Sequence, residues 1–265
     1  MSARQTRHCA IVTGANGGIG MAFVKELLAR GCQVIMVDLN GERLSEMSET
    51  LGRPGDILTL ELDLTRKDAA ERLFEFCDSG KCDPDILINN AGIFSFRPVC
   101  ETSAKTIDTF VDLHVRAVTV LSKEFAGRRL KKGSGYILNM SSMSCWMPMP
   151  GIALYAATKA YIRVFTRALH YELKDYGVNA MAACPGGIAT NLFGLSPSLT
   201  KLALRLGAIA RPEKFAHKAI RKLLKGEKQY INGFINRISI FFVGITPDWM
   251  RMLVKHKMLD RGIRR

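Results

Sequence analysis

The chain reads as an α/β protein built on one doubly wound parallel sheet of about seven strands, with helices on both faces. Three observations predict this. Short apolar runs alternate with amphipathic helical stretches along most of the 265 residues, as strands and crossover helices of a parallel sheet do. The first apolar run ends in a glycine-rich turn that opens a helix. The second ends in an acid, Asp38, and the pairing marks the edge of a sheet that takes a dinucleotide.

Cys9 to Thr13 is a buried strand, followed by the turn Thr13-Gly14-Ala15-Asn16-Gly17-Gly18-Ile19-Gly20 and an amphipathic helix from Met21 to Arg30. Gly14 permits a tight turn, Gly18 lets a pyrophosphate approach the backbone, and Gly20 allows close helix–strand packing. The helix N-terminus then offers its N–H groups to phosphate. The alternative is a merely flexible turn, which the two flanking elements argue against.

Gln33 to Val37 is the second strand, and Asp38 is placed to accept hydrogen bonds from the adenosine ribose hydroxyls. The same acid repels a 2′-phosphate: at ~4 Å and an effective dielectric of ~20, one like-charge contact costs about 4 kcal/mol before screening. NAD is therefore expected in preference to NADP, with Arg43 the nearby residue that would soften the choice. Ile57 to Leu62 forms a third strand, ending at Asp63-Leu64. Asp63 either meets the adenine edge or N-caps a helix from Arg66, or does both. Asp85 to Ile88 is a fourth strand and runs into Asn89-Asn90-Ala91-Gly92, small and amide side chains suited to the crevice a dinucleotide crosses. A long helix from Ser103 to Leu130, a strand from Gly135 to Met140, a helix from Tyr155 to about Tyr176, a strand from Val178 to Ala183 and a seventh strand over Gln229 to Asn232 complete the alternation.

The stretch from Ser141 to Lys159 carries the chemistry. On a helix, Tyr155 and Lys159 are four residues apart and share a face. A phenol has a pKa of about 10 and a lysine about 10.4, and a neighbouring ammonium is expected to bring the Tyr155 pKa down toward working pH. Ser142, arriving from the preceding strand, can hydrogen-bond the same substrate oxygen. Together the three side chains make a proton-transfer device for a ketone–alcohol pair. A core tyrosine beside a solvated lysine is the plainer reading of that spacing alone.

In combination these motifs resemble the short-chain dehydrogenase/reductase family over most of Cys9 to Asn191, a Rossmann-type fold. The matching positions are Gly14, Gly18, Gly20, Asp63, Asn90-Ala91-Gly92, Ser142, Tyr155-x-x-x-Lys159, Pro185-Gly186 and Thr190. The resemblance implies that Ser142 polarises a carbonyl, Tyr155 donates or accepts the proton, and Lys159 binds the nicotinamide ribose and lowers the Tyr155 pKa. It implies cofactor contacts from the glycine turn with Asn16 and Ile19, from Asp38, Asp63 and Leu64, from Asn90 to Gly92, and from Pro185 and Gly186. Ile188 and Thr190 would meet the nicotinamide carboxamide, and a homodimer or homotetramer would form through the long helices. One position departs from the family: its usual asparagine, which holds a water in a proton relay from the lysine, is His114 here. A neutral histidine can take over the relay and introduce a titration near pH ~6.5, or it can be a buried residue packed against a neighbouring helix.

Seven scattered cysteines form no CxxC pair, and no Cys/His cluster has ligand spacing, so reduced thiols and no metal are expected. No secretory h-region is present, and no apolar run reaches the roughly 18 residues of a membrane span; a cytoplasmic protein is expected. Residues 1–233 form the expected catalytic domain, with an apolar substrate flap over about 186–210. In the flap, Leu192 and Phe193 face Phe94, Trp146 and Met147 as expected walls for an apolar substrate, a hydroxysteroid ahead of a 3-oxoacyl or keto-sphingoid lipid. A non-catalytic dinucleotide-binding regulator is the alternative of another class.

The net charge of +14 is uneven, since residues from Lys201 onward hold 16 Lys/Arg against 4 Asp/Glu. Without stacking aromatics on a groove-reading motif, this basicity does not point to nucleic acid. Residues 234–265 are a basic, apolar extension that the catalytic core does not need. Trp249, Met250, Met252, Leu253 and Met258 with Arg251, Lys255, Lys257 and Arg261 suit a helix on an anionic bilayer, or a subunit contact.

Overall fold

The computed structural model describes residues 7–80, 82–188 and 209–259. Seven strands form one parallel sheet: β1 (Cys9–Thr13), β2 (Gln33–Asp38), β3 (Ile57–Glu61), β4 (Ile86–Asn89), β5 (Gly135–Met140), β6 (Val178–Ala183) and β9 (Gln229–Tyr230). Their order is β3-β2-β1-β4-β5-β6-β9. The order reverses between β1 and β4, which leaves a crevice at the carboxyl ends of those two strands. A short pair, β7 (Gly187–Ile188) and β8 (Ile209–Ala210), lies apart from the main sheet.

Each strand alternates its side chains between two cores. Ala10, Val12, Val34 and Met36 face α1 (Gly18–Ala29), Leu44 of α2 (Gly41–Leu51) and α7 (Pro212–Leu224). Cys9, Ile11, Ile35 and Val37 face the opposite layer of α3 (Ala69–Ser79), α5 (Val118–Leu130) and α6 (Ala153–Leu173). Strands buried on both faces must be apolar throughout, which explains the continuous apolar runs. Phe23 of α1 meets Phe215 of α7 edge-on at 6.2 Å, and burying such rings stabilises the layer by roughly 1.5–3 kcal/mol each.

Helix ends follow local chemistry. Asn40 caps α2 by accepting Arg43 N–H at 2.9 Å, and Gly52 closes it at φ +60°. Ser103 caps α4 (Ala104–Val111) in the same way, accepting Thr106 N–H at 3.2 Å. Three details depart from the sequence reading. The helix expected over Ser103–Leu130 is interrupted by a wide π-turn at Asp112–Ala117. Asp63 caps no helix: its Oδ1 accepts Thr65 N–H and Oγ1–H at 2.8 and 2.6 Å, and α3 begins only at Ala69. The last strand stops at Tyr230 rather than Asn232, and the Asn232 side chain beyond it accepts Gly186 N–H at 2.7 Å. Beyond it lie α8 (Phe234–Gly244) and α9 (Asp248–Val254).

Candidate active site

A cleft of about 490 Å³ opens at the carboxyl edge of the sheet. Its floor at one end is the turn after β1. Gly14 sits at φ +65°, and a Cβ on Gly20 would lie 2.0 Å from Gly14 O. A side chain at Gly20 is thus excluded by closure of the turn onto the start of α1 and by Asn90 Nδ2, 2.9 Å from the same Cβ at the end of β4. No side chain caps α1, and Gly17, Gly18 and Ile19 at its N-terminus line the cleft, an arrangement ready for phosphate. Asp38 lines the same end of the cleft, with its carboxylate accepting Asn16 N–H at 2.9 Å and Leu39 N–H at 2.8 Å. Asn16 donates Nδ2 to Asn40 O at 3.0 Å, while its buried Oδ1 has no partner. Asp63, Leu64 and Asn90 to Gly92 also line the cleft.

At the other end, β5 delivers Ser142 and α6 delivers Tyr155 and Lys159 to one wall. Ser142 Oγ accepts Ser144 N–H at 3.1 Å, which leaves its hydroxyl to hydrogen-bond the Tyr155 phenol. Lys159 is buried, and its Nζ donates to Met140 O at 2.9 Å and stands 5.7 Å from the Tyr155 ring centre. Ser141 Oγ donates to Lys159 O at 2.7 Å and ties β5 to α6. Desolvation pulls the Lys159 pKa down to about 8. The Tyr155 pKa is raised rather than lowered: burial outweighs the Ser142 hydrogen bond, and the negative charge of the Cys145 thiolate form adds to the rise. The expectation of a phenol already brought down by Lys159 is therefore corrected for the free protein.

A glycine turn at an uncapped helix start, the acid Asp38 and a Ser–Tyr–Lys wall share this cleft. The model of the short chain dehydrogenase family matches residues 8–198. The chain belongs to the short-chain dehydrogenase family. Among its relatives, a very-long-chain 3-oxoacyl-CoA reductase from Anas platyrhynchos is 31% identical, over 93% of this chain and 78% of that protein. A Homo sapiens protein named inactive hydroxysteroid dehydrogenase-like protein 1 is 26% identical, over 99% of this chain and 79% of that one. The solved structure of 4-hydroxyisoleucine dehydrogenase complexed with NADH superposes with a TM-score of 0.76 at 26% identity, covering 85% of this chain and 97% of that one.

In this short-chain dehydrogenase, His114 sits in the π-turn with both ring nitrogens engaged. Nε2 accepts Ile93 N–H at 3.1 Å. Thr158 Oγ1 donates to Tyr155 O at 2.9 Å, so it accepts Nδ1–H of His114 at 3.0 Å. Burial, then the Lys159 charge, pulls the His114 pKa to about 2. Burial thus holds the histidine neutral, its pKa well below the range near pH ~6.5 in which a free imidazole titrates. Its two hydrogen bonds pin the strand-end loop to α6 beneath Tyr155. Gly92 makes room for it, since a Cβ there would lie 2.9 Å from His114 Nε2 and 3.4 Å from Lys159 Nζ.

Phe94 packs edge-on against Tyr155 at 5.0 Å. The described lining of the cleft includes neither Trp146 nor Met147; the Trp146 ring lies under the Arg163 guanidinium at 4.3 Å. Pro185, Gly186 and Ile188 line the cleft, and Thr190, Leu192 and Phe193 lie outside the described residues. Sequence reasoning missed Thr13. Its Oγ1 donates to Ile88 O at 3.3 Å and accepts Asn90 and Ala91 N–H at 3.0 and 3.1 Å, locking the glycine turn to the end of β4. A hydroxyl at the end of an otherwise aliphatic buried strand was the available signal.

Proposed function

We propose that the chain interconverts a secondary alcohol and a ketone on an apolar skeleton, with NAD(H) as the redox partner and Tyr155 as acid and base. The observation that carries this is the convergence of Ser142, Tyr155 and Lys159 on one wall of the cleft that the glycine turn and Asp38 close. The residues fit a nicotinamide dinucleotide. An uncapped helix start lies beside the buried, unpartnered Asn16 Oδ1, and Asp38 and Lys159 stand at opposite ends to meet the two riboses. When bound, the dinucleotide supplies or accepts a hydride at the carbinol carbon. Among the described residues the only cationic side chain lining the cleft is Lys159, held at the end of β5 by Met140 O, with β1 and β4 between it and Asp38 at the end of β2. Asp38 therefore meets a 2′-phosphate with repulsion, and Arg43, the nearby cation, is not part of the cleft lining, which favours NAD over NADP.

Ser142 orients the substrate oxygen with its hydroxyl. In the reducing direction Tyr155, its pKa raised, holds a proton ready to donate to that oxygen. In the oxidising direction the phenol must first lose it, helped by Ser142 O–H and by the buried Lys159 ammonium. Phe94 and His114 fix the Tyr155 ring from the side and from beneath. Leu113, Ile93 and Ile188 give the cleft apolar walls, which supports a hydroxysteroid first and a 3-oxoacyl or keto-sphingoid lipid second.

The test is reduced-nicotinamide absorbance against hydroxysteroids and long-chain 3-hydroxy lipids, with NAD and NADP in parallel. Turnover should appear with NAD and fall about 10²–10⁴-fold in Tyr155→Phe with dinucleotide binding unchanged. Tight NAD binding with no turnover of any substrate would instead make the chain a non-catalytic dinucleotide binder; the human relative is itself named inactive.

A further inference from the structure

The two helices beyond the last strand present an unusual surface. Among the described residues, ten of the eighteen exposed large hydrophobic ones fall within residues 234–253. On α8 the sides divide cleanly. Asn236 is buried, with Ser239, Ile240 and Val243 half-buried on the same side, and this side packs against the turn Met143–Trp146. Asn236 Nδ2 also holds Asn232 O at 2.8 Å, beside Gly186 at the cleft. The opposite side and the start of α9 are open to solvent: Phe234 is 76% exposed, Phe241 77%, Ile245 74% and Trp249 67%.

Charge identifies what covers this face. Residues 234–265 contain seven Lys/Arg and two Asp/Glu, a net of +5, and Arg237, Lys255 and Lys257 are exposed among the described ones. A symmetric contact with a second copy would set Arg237, Lys255 and Lys257 against like charge, because such an interface uses the same patch twice. An anionic surface does the reverse. Among the described residues no helix is long and apolar enough to cross a membrane. The 11 residues of α8 span about 16 Å, half a bilayer core, so the helix can lie in the headgroup plane but not pass through it.

We infer that α8 and the start of α9 dock the protein on an anionic lipid bilayer, with Phe241, Phe242, Ile245 and Trp249 inserted and Arg237, Lys255 and Lys257 at the headgroups. The buried side of α8 rests on the turn that leads from Ser142 toward Tyr155, and Leu259 packs beside Gly151 and Phe96. The docking face is thereby joined to the substrate side of the cleft, and an apolar substrate dissolved in the bilayer would enter with little passage through water. That last consequence rests on the proposed dehydrogenase activity. Docking itself is read without turnover, so the two ideas fail separately.

The experiment is sedimentation of the full chain with vesicles of phosphatidylcholine alone and of phosphatidylcholine with phosphatidylserine, over a salt series. Wild type should be retained by the anionic vesicles and released by salt. The double variant Phe241→Glu/Phe242→Glu should bind at least about tenfold more weakly. Lys255→Glu/Lys257→Glu should lose about fivefold or more per charge and show a flatter salt dependence. No retention of wild type, or equal retention of the phenylalanine variant, overturns the proposal. So does a lipid-free oligomer that the phenylalanine variant dissolves, which would assign the face to a second copy. Should that variant fail to fold, quenching of wild-type tryptophan fluorescence by lipids brominated in the acyl chain decides: the proposal requires quenching that disappears in Trp249→Phe, and its absence is contrary.

Discussion

His114→Leu separates a positional histidine from a titrating one. The substitution conserves bulk but leaves Ile93 N–H and Thr158 Oγ1 without their partner, which costs about 1–3 kcal/mol of stability near pH ~8. The histidine also carries a penalty of its own in acid. Its folded pKa, near 2, lies below the unfolded value of about 6.5, so only the unfolded chain takes up the proton as pH falls through that window. From pH ~8 to pH ~5 this costs the wild type about 2 kcal/mol that the leucine variant escapes. Urea unfolding of both proteins at the two pH values measures the difference. The wild type should be the more stable at high pH, and the gap should close by about 2 kcal/mol, to near zero, at pH ~5. A gap constant across pH would mean that His114 is protonated alike in the folded and unfolded chains, and the argument from burial would be wrong.

Three further outcomes test the rest of the site. Asp38→Ser with Leu39→Arg removes a repulsion of about 4 kcal/mol and adds a cation. The ratio of kcat/KM for NADP over NAD should rise at least ~100-fold, and an unchanged ratio would remove Asp38 from the ribose end. Gly92→Ala places a Cβ 2.9 Å from His114 Nε2; it should cost about 1–3 kcal/mol in thermal or urea unfolding and lower kcat by displacing Lys159 and His114. Thr13→Val is nearly isosteric but unpairs Asn90 and Ala91 N–H. About 2 kcal/mol of stability should go with it, and calorimetric NAD affinity should weaken as the glycine turn loosens.

Much of this protein was legible in one dimension. Continuous apolar runs announce strands buried on both faces because no polar side chain is tolerated there without a partner, and β1, β2, β4, β5 and β6 appear where those runs lie. The turn Gly14 to Gly20 was readable because only glycine fits a positive φ at Gly14 and a contact of 2.0 Å at Gly20. The spacing of Tyr155 and Lys159 needed nothing beyond helical periodicity.

What only the tertiary structure decided concerns surroundings assembled from distant segments. The π-turn at Asp112–Ala117 leaves no mark on periodicity, and it turns His114 toward Ile93 and Thr158, which lie 21 and 44 residues away. The rise of the Tyr155 pKa, the fall of the Lys159 pKa to about 8 and the neutrality of His114 all follow from desolvation. Sequence specifies which groups can ionise and which neighbours share their helix. How much water remains around each of them depends on every segment packed nearby, and so the sign of the Tyr155 shift could be read only after the chain had folded around it.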